Sequence, residues 1–168
     1  MSRPGGRRTD SGTDEPDAPT SVLLICSPGG HMQQMLALKP AWGDCRRAWV
    51  SLRAADSEKL LADESVVWAH GPTNRSLSKL VRNIFVAART LRRADPDAVI
   101  STGAALAVPF IIFARLTGRR AVYVESFTRT DGLSLSGRMV YPFATDFFVQ
   151  WPEAAAGRPK ARYVGAIL

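Results

Sequence analysis

Apolar positions along this chain follow two alternating rhythms, and these predict a series of strands and helices. Val22 to Cys26 is continuously apolar, as a strand buried on both faces of a sheet requires, and Met32 to Leu38 then takes up helical spacing. Arg47 to Leu52 reads as a strand, Ser57 to Ala62 as a short helix and Val66 to Ala69 as the next strand. A long helix from about Ser76 to Arg93 is opened by Asn74 to Ser76 and stopped by Asp95-Pro96-Asp97, because the residue ahead of a proline is pushed out of the helical region. Ala98 to Ser101, Ala121 to Glu125 and Phe147 to Gln150 complete the strands; Ala105 to Leu116 and Ser134 to Tyr141 complete the helices. Strands alternating with helices imply an α/β fold, a Rossmann-like parallel sheet with flanking helices.

In such sheets ligands bind at the carboxyl ends of the strands, in the loops that lead into helices. Three polar loops fall there: Ser27 to His31, Ser101-Thr102-Gly103, and Glu125-Ser126-Phe127. They are expected to converge on one rim and form a cleft. In the first, Gly29 and Gly30 let the backbone turn tightly into a helix whose N-terminal N–H groups favour anionic oxygen. The loop has neither the G-x-G-x-x-G spacing of a dinucleotide fold nor the Gly-Lys-Ser/Thr ending of a P-loop. His31 is one of only two histidines, and at this position it could act as general base, donate to a phosphate or cap the loop backbone. His70 also follows a strand, with a structural role as the simplest reading.

Composition narrows the possibilities. Residues 1–20 hold no Leu, Ile, Val or aromatic residue, so burial cannot offset their ordering entropy, and a disordered polar tail is expected. The remaining residues, 21–168, suit a single domain, and 46% hydrophobic content supplies a real core. No apolar stretch follows the arginines of the tail, so no secretory leader is read and a cytoplasmic location is expected. The longest uncharged apolar run, Ala104 to Ala114, is too short to span a bilayer, which takes about 20 residues. Cys26 and Cys45 form neither a disulfide framework nor a metal-ligand spacing; no metal site and no cofactor are expected.

The net charge is +7, and the acidic tail leaves all of the excess on the domain. An anionic partner is therefore expected. In the long helix Leu77, Leu80, Val81, Ile84, Phe85, Ala88 and Leu91 mark an apolar face, with Arg75, Lys79, Arg82, Arg89 and Arg93 opposite. That cationic face is either a solvated outer surface or a contact for anionic lipid, for which Lys79, Arg82 and Arg89 are the candidates. Nucleic acid is not expected, since no aromatic residues interleave the basic stretch and no nucleic-acid module is recognisable.

Beyond these readings, several blocks occur in one order: Gly29-Gly30-His31, Ser101-Thr102-Gly103, Tyr123-Val124-Glu125-Ser126-Phe127, Leu133-Ser134-Leu135-Ser136-Gly137, Tyr141-Pro142-Phe143-Ala144 and Val149-Gln150-Trp151-Pro152-Glu153. The series resembles the membrane-associated acceptor subunit of the two-part UDP-GlcNAc transferase that makes dolichol-linked chitobiose, with its bacterial exopolysaccharide and capsule relatives. The resemblance covers residues 21–168.

The resemblance implies the N-terminal half of a GT-B glycosyltransferase, paired with a nucleotide-sugar-binding glycosyltransferase subunit on a separate chain. It implies sugar transfer from a UDP-sugar to a polyprenyl-diphosphate-linked sugar acceptor at a membrane surface, here the cytoplasmic face of the cell membrane. Carried onto this chain, His31 and Glu125 would be the catalytic residues, and Ser27, Gly29, Gly30, Ser101, Thr102, Gly103 and Ser126 would bind the acceptor and its diphosphate. Glu125 has an alternative, capping the next helix or pairing with Arg129. A non-catalytic subunit that docks a catalytic partner at the membrane is the alternative for the whole chain. The family's eukaryotic members carry an N-terminal membrane anchor where this chain has a polar tail, so membrane contact is expected from the basic helix or the Ala104 to Leu116 region.

Overall fold

The apolar run after Thr20 becomes an interior strand, third in the order of a seven-stranded sheet. β1 (Ser21–Ile25) pairs in parallel with β2 (Arg46–Leu52) on one side and with β4 (Ala98–Ser101) on the other. β3 (Val66–Ala69) continues beyond β2, while β5 (Arg120–Val124), β6 (Asp146–Val149) and β7 (Ala161–Tyr163) extend the other wing, giving the order β3-β2-β1-β4-β5-β6-β7. All pairs are parallel. The computed structural model describes residues 20–71 and 77–167, and for 77–81 the backbone alone. The tail expected over residues 1–20, apart from Thr20, lies outside the described residues, as does the expected helix opening at 74–76.

Helices fill the crossovers: α1 (Gly30–Ala37), α2 (Lys39–Trp42), α3 (Ala55–Leu60), α4 (Leu77–Ala94), α5 (Ala107–Leu116), α6 (Leu135–Val140) and α7 (Pro152–Ala155). Side chains of β1 alternate between two cores. Leu23 and Ile25 join Val99, Phe110, Ile111, Tyr123 and Phe147 beneath α4, α5 and α6. Val22, Leu24 and Cys26 face the opposite way, with Met32 and Met35 of α1, Trp42 of α2 and Trp49. Burial pushes the Cys26 thiol up to about 12, and both cysteines are free. α2, α7 and β7 were not expected from the sequence. Each spans four residues or fewer, too short for a period to register, and β7 (Ala-Arg-Tyr) is an edge strand with two exposed positions.

Over its described side chains, α4 packs on a face displaced from its apolar stripe, sharing Leu91 with it. Asn83, Ala87, Thr90 and Leu91 are buried, whereas Ile84 is exposed and Phe85 is 71% exposed. The reason lies in Asn83. Its amide donates to the His70 carbonyl at 2.9 Å and its carbonyl oxygen accepts the His70 N–H at 3.0 Å, tying α4 to the end of β3. Small Ala87 completes the face that packs towards the core. Two satisfied bonds to a buried amide, worth about 1 kcal/mol each, fix the rotation of the helix. Arg82, Phe85 and Arg89 consequently share the outward face at helical spacing.

The amino edge of the sheet is held by carboxylates. Asp97 accepts the Ser21 N–H at 2.7 Å and the Ser21 hydroxyl at 2.9 Å; Asp146 accepts from Arg120 at 2.9 Å. These bonds hold both carboxyls below their usual range, Asp97 through Ser21 and Asp146 chiefly through Arg120. A carboxyl whose folded value lies below the unfolded one adds stability that is complete above about pH 4 and is lost as the pH falls through the folded value. The urea-unfolding midpoint should therefore fall as the pH is lowered from about 5 to about 2, and Asp97→Asn with Asp146→Asn should flatten that fall. An equally steep fall in the double variant would contradict this assignment.

Candidate functional site

At the carboxyl edge, β1 and β4 are neighbours, yet the chain leaves β1 for one wing of the sheet and reaches β4 on its way to the other. The loops after these strands diverge and leave a crevice at the switch of direction. His31, in the first turn of α1, sits across it. Its Nδ1 lies 2.7 Å from the carbonyl oxygen of Thr102, and the Thr102 hydroxyl donates back to the His31 carbonyl at 2.7 Å. A carbonyl can only accept, so Nδ1 carries the proton and neutral His31 keeps its lone pair on Nε2.

Gly103 supports the ring from behind. A Cβ there would stand 2.7 Å from His31 Cε1 and 2.9 Å from Nδ1, and the backbone adopts φ +116°, so glycine is required on two counts. Ala104 follows at φ +72°, an unfavourable value for a residue with a Cβ, and it lines the cleft. Ser101 hydrogen-bonds within the same turn, accepting the Gly103 N–H at 3.2 Å. Ser101, Thr102 and Gly103 thus form a layer that orients His31, and none of them lines the cleft itself.

The cleft encloses about 550 Å³. Ser27 and His31 stand on one wall, and Ser126, Thr128, Arg129 and Ser134 on the other; Leu135 and Met139 of α6 add an apolar margin. A second hollow of about 740 Å³ opens on the other side of His31, lined by Gly30, Gln34, Ser126, Phe127 and Ile167 among others. The imidazole lines both.

Glu125 borders the first cleft but is 1% exposed, and its carboxylate is fully engaged. One oxygen accepts the Ser126 N–H at 2.9 Å; the other accepts the Ser134 N–H at 2.9 Å and the Ser134 hydroxyl at 3.1 Å. Ser134 caps α6 by accepting the Gly137 N–H at 2.9 Å. No ion pair joins Glu125 to Arg129 among the described residues. The Val-Gln-Trp block braces the same loop: Gln150 donates to the Glu125 carbonyl at 3.0 Å and Trp151 to the Phe127 carbonyl at 2.7 Å.

The sequence reading gave Arg129 no role beyond pairing with Glu125, and gave Asp56, Asp95 and Asp97 no place in a site. Arg129 is the only lysine or arginine lining the first cleft, and it has no ion-pair partner among the described residues. Asp56, 27 positions from the glycine loop, accepts the Gly29 N–H at 3.1 Å, so that part of the expected anion cradle already holds a carboxylate. No Asp-x-Asp metal signature is expected from the sequence reading, yet Asp95-Pro96-Asp97, which stops α4, has that spacing. It lies at the opposite edge of the sheet, where Asp97 binds Ser21 and Asp95 pairs with Arg119.

The class that this fold defines is a Rossmann-like α/β domain with the architecture of one half of two-domain GT-B proteins. The chain superposes on MurG of Acinetobacter baumannii with a TM-score of 0.70 at 20% identity, covering 86% of this chain and 45% of that one. It superposes on the UDP-N-acetylglucosamine 2-epimerase of Rickettsia bellii with a TM-score of 0.70 at 11% identity, covering 89% and 45%. It therefore spans about half the length of these solved proteins.

Within that class, the chain belongs to the family described as "Oligosaccharide biosynthesis protein Alg14 like", whose profile it matches over residues 69–167. It is 33% identical over 181 residues to the UDP-N-acetylglucosamine transferase subunit ALG14 of Eremothecium gossypii, covering 89% of this chain and 81% of the relative. The subunit of the same name from Yarrowia lipolytica is 36% identical over 178 residues, covering 88% and 81%.

Proposed function

We propose that this chain is the acceptor-binding subunit of a two-chain glycosyltransferase, moving a sugar from a UDP-sugar to a polyprenyl-diphosphate-linked glycan in polysaccharide synthesis. The observation that carries the reading is His31, whose Nδ1 is committed to Thr102 and whose Nε2 is free to take a proton beside a cleft at the sheet's switch point. An acceptor hydroxyl attacks the anomeric carbon, its proton passes to Nε2, and the bond from that carbon to UDP breaks. The partner chain supplies the nucleotide site. The relatives' shared name, a transferase subunit, supports this division.

Glu125 serves in this reading as a positioning carboxylate for the Ser126 to Ser134 loop, because its oxygens are engaged in hydrogen bonds. A docking role without catalysis is the second reading, favoured by that engagement of Glu125 and by the outward face of α4. The test is transfer from radiolabelled UDP-sugars to a membrane lipid extract, by this chain alone and together with a nucleotide-binding partner. Transfer only in the presence of the partner fits the two-chain reading; transfer by this chain alone overturns it.

Membrane attachment at the inner face of the cell membrane is part of the proposal. Among the described residues no helix is long and apolar enough to cross a membrane. Exposed Phe85 between Arg82 and Arg89 gives α4 an apolar wedge flanked by cations, and each basic residue near an anionic surface contributes about 1 kcal/mol. The side chain of Lys79, the third expected contact, lies outside the described residues. Charge reversal at Lys79, Arg82 and Arg89 should release the protein from anionic liposomes, and Phe85→Ser should weaken binding even to neutral ones. Unchanged sedimentation of both variants would remove α4 as the contact.

A further inference from the structure

Resting on the acceptor-binding reading, we infer that Arg129, and not the glycine loop, takes the diphosphate of the acceptor. Two independent observations meet here. The first concerns the glycine loop. The Gly29 N–H that would hold a phosphate oxygen donates to the Asp56 carboxylate at 3.1 Å, and Asp56 also accepts the Ser57 N–H at 2.9 Å, where α3 anchors it. A diphosphate placed there would meet a fixed negative charge a few ångströms away, and repulsion at that range disfavours it.

The second concerns the opposite wall. Arg129 lines the cleft with no ion pair among the described residues, so its guanidinium is open to a bidentate bond with phosphate oxygens. Thr128 and Ser136 add hydroxyl donors beside it. His31 lines the same cleft, so a diphosphate on Arg129 would put the attached sugar in the cleft that His31 borders.

A diphosphate ester could come from the lipid acceptor or from the nucleotide sugar. The same wall favours the lipid. Leu135 is 75% exposed and Met139 46% exposed on adjacent turns of α6, and both border the cleft beside Arg129. An isoprenoid chain leaving the diphosphate along these two side chains would bury them, whereas a uridine would leave the apolar margin unused.

The test is titration of the full chain with farnesyl diphosphate and, separately, with UDP, followed by calorimetry. Wild-type protein is expected to bind farnesyl diphosphate more tightly than UDP. Arg129→Gln should weaken farnesyl diphosphate binding by about tenfold or more, and Arg129→Lys should recover part of the loss. Asp56→Asn should tighten binding by no more than about threefold, a long-range charge effect. If Arg129→Gln leaves binding unchanged while Asp56→Asn tightens it tenfold, the glycine loop holds the diphosphate and the inference is overturned, although the acceptor-binding reading survives. Tighter binding of UDP than of farnesyl diphosphate, lost in Arg129→Gln, overturns the lipid assignment. If the wild-type chain binds neither ligand, both this inference and the acceptor-binding reading fall. Arg129 is exposed and thermal unfolding of its variants should match wild type, so lost binding reports the site.

Discussion

Replacing His31 with alanine is expected to reduce sugar transfer by the assembled two-chain enzyme by about 10²- to 10⁴-fold, the contribution of a positioned general base. The loss follows from geometry. The bond from Nδ1 to the Thr102 carbonyl fixes the tautomer, and the ring stands between two hollows where an acceptor hydroxyl can reach Nε2. Gly103→Ala provides an independent check that keeps the imidazole. Its Cβ would come within 2.7 Å of the ring at a backbone angle that disfavours any side chain, so the ring must move and much of the same loss should appear. Farnesyl diphosphate binding should survive in His31→Ala, because the base is not the diphosphate's counter-ion. Full turnover by His31→Ala in the assembled complex would eliminate the catalytic role and leave the docking subunit as the reading.

The second large effect concerns stability. Gly137→Ala is expected to cost about 3 kcal/mol or more, seen as a fall in melting temperature of roughly 6 to 12 °C for a domain of this size. A Cβ at Gly137 would lie 2.1 Å from a carboxylate oxygen of Glu125. That oxygen is the far end of a side chain, but not a free one. It holds the Ser134 N–H and hydroxyl, and moving it strands buried donors at the start of α6. Glu125→Ala alone should also be strongly destabilising, for the same stranded donors. The double variant should cost clearly less than the sum of the two, because the clash disappears with the carboxylate. Additive costs, or a Gly137→Ala loss below about 0.5 kcal/mol, would mean that the Leu133 to Gly137 block is not held by this contact.

These two predictions divide the ordered blocks of the sequence by what they do. Gly29-Gly30-His31 and Ser101-Thr102-Gly103 form one unit, an imidazole and the layer that orients it. Glu125, Ser134, Gly137, Gln150 and Trp151 form another, a buried hydrogen-bonded brace that fixes the loop carrying Ser126, Thr128 and Arg129. The catalytic role read for Glu125 from the resemblance and its alternative as a helix cap both begin from the same carboxylate. The cap of α6 is Ser134, and Glu125 holds that residue by accepting its N–H and hydroxyl, at a position bordering the cleft.

The sequence by itself determined the order of strands and long helices, because the central strands are buried on both faces and so are continuously apolar. It also determined that three polar loops would face one edge, since parallel strands joined through helices must all end on the same side. Ser27, His31 and Ser126 meet there as the pattern required. The sequence could not rank the faces of α4. Its apolar stripe includes Ile84 and Phe85, yet the fold buries Asn83 and Ala87, because an amide that satisfies two backbone groups of His70 and a methyl that packs into the core outweigh hydrophobicity alone. Nor could it pair Asp56 with Gly29, or leave Arg129 without a carboxylate among the described residues, since such contacts depend on how loops from different strands approach one another in space. Asp95 and Asp97 make the same point: two carboxylates at a spacing that suggests metal chemistry lie at the amino edge of the sheet, bound to Arg119 and Ser21, because the strand that follows them starts there. Periodicity along the chain records which residues are buried. Only the tertiary structure decides which polar groups are left facing the cleft, because that depends on which partners the folded chain has already brought to them.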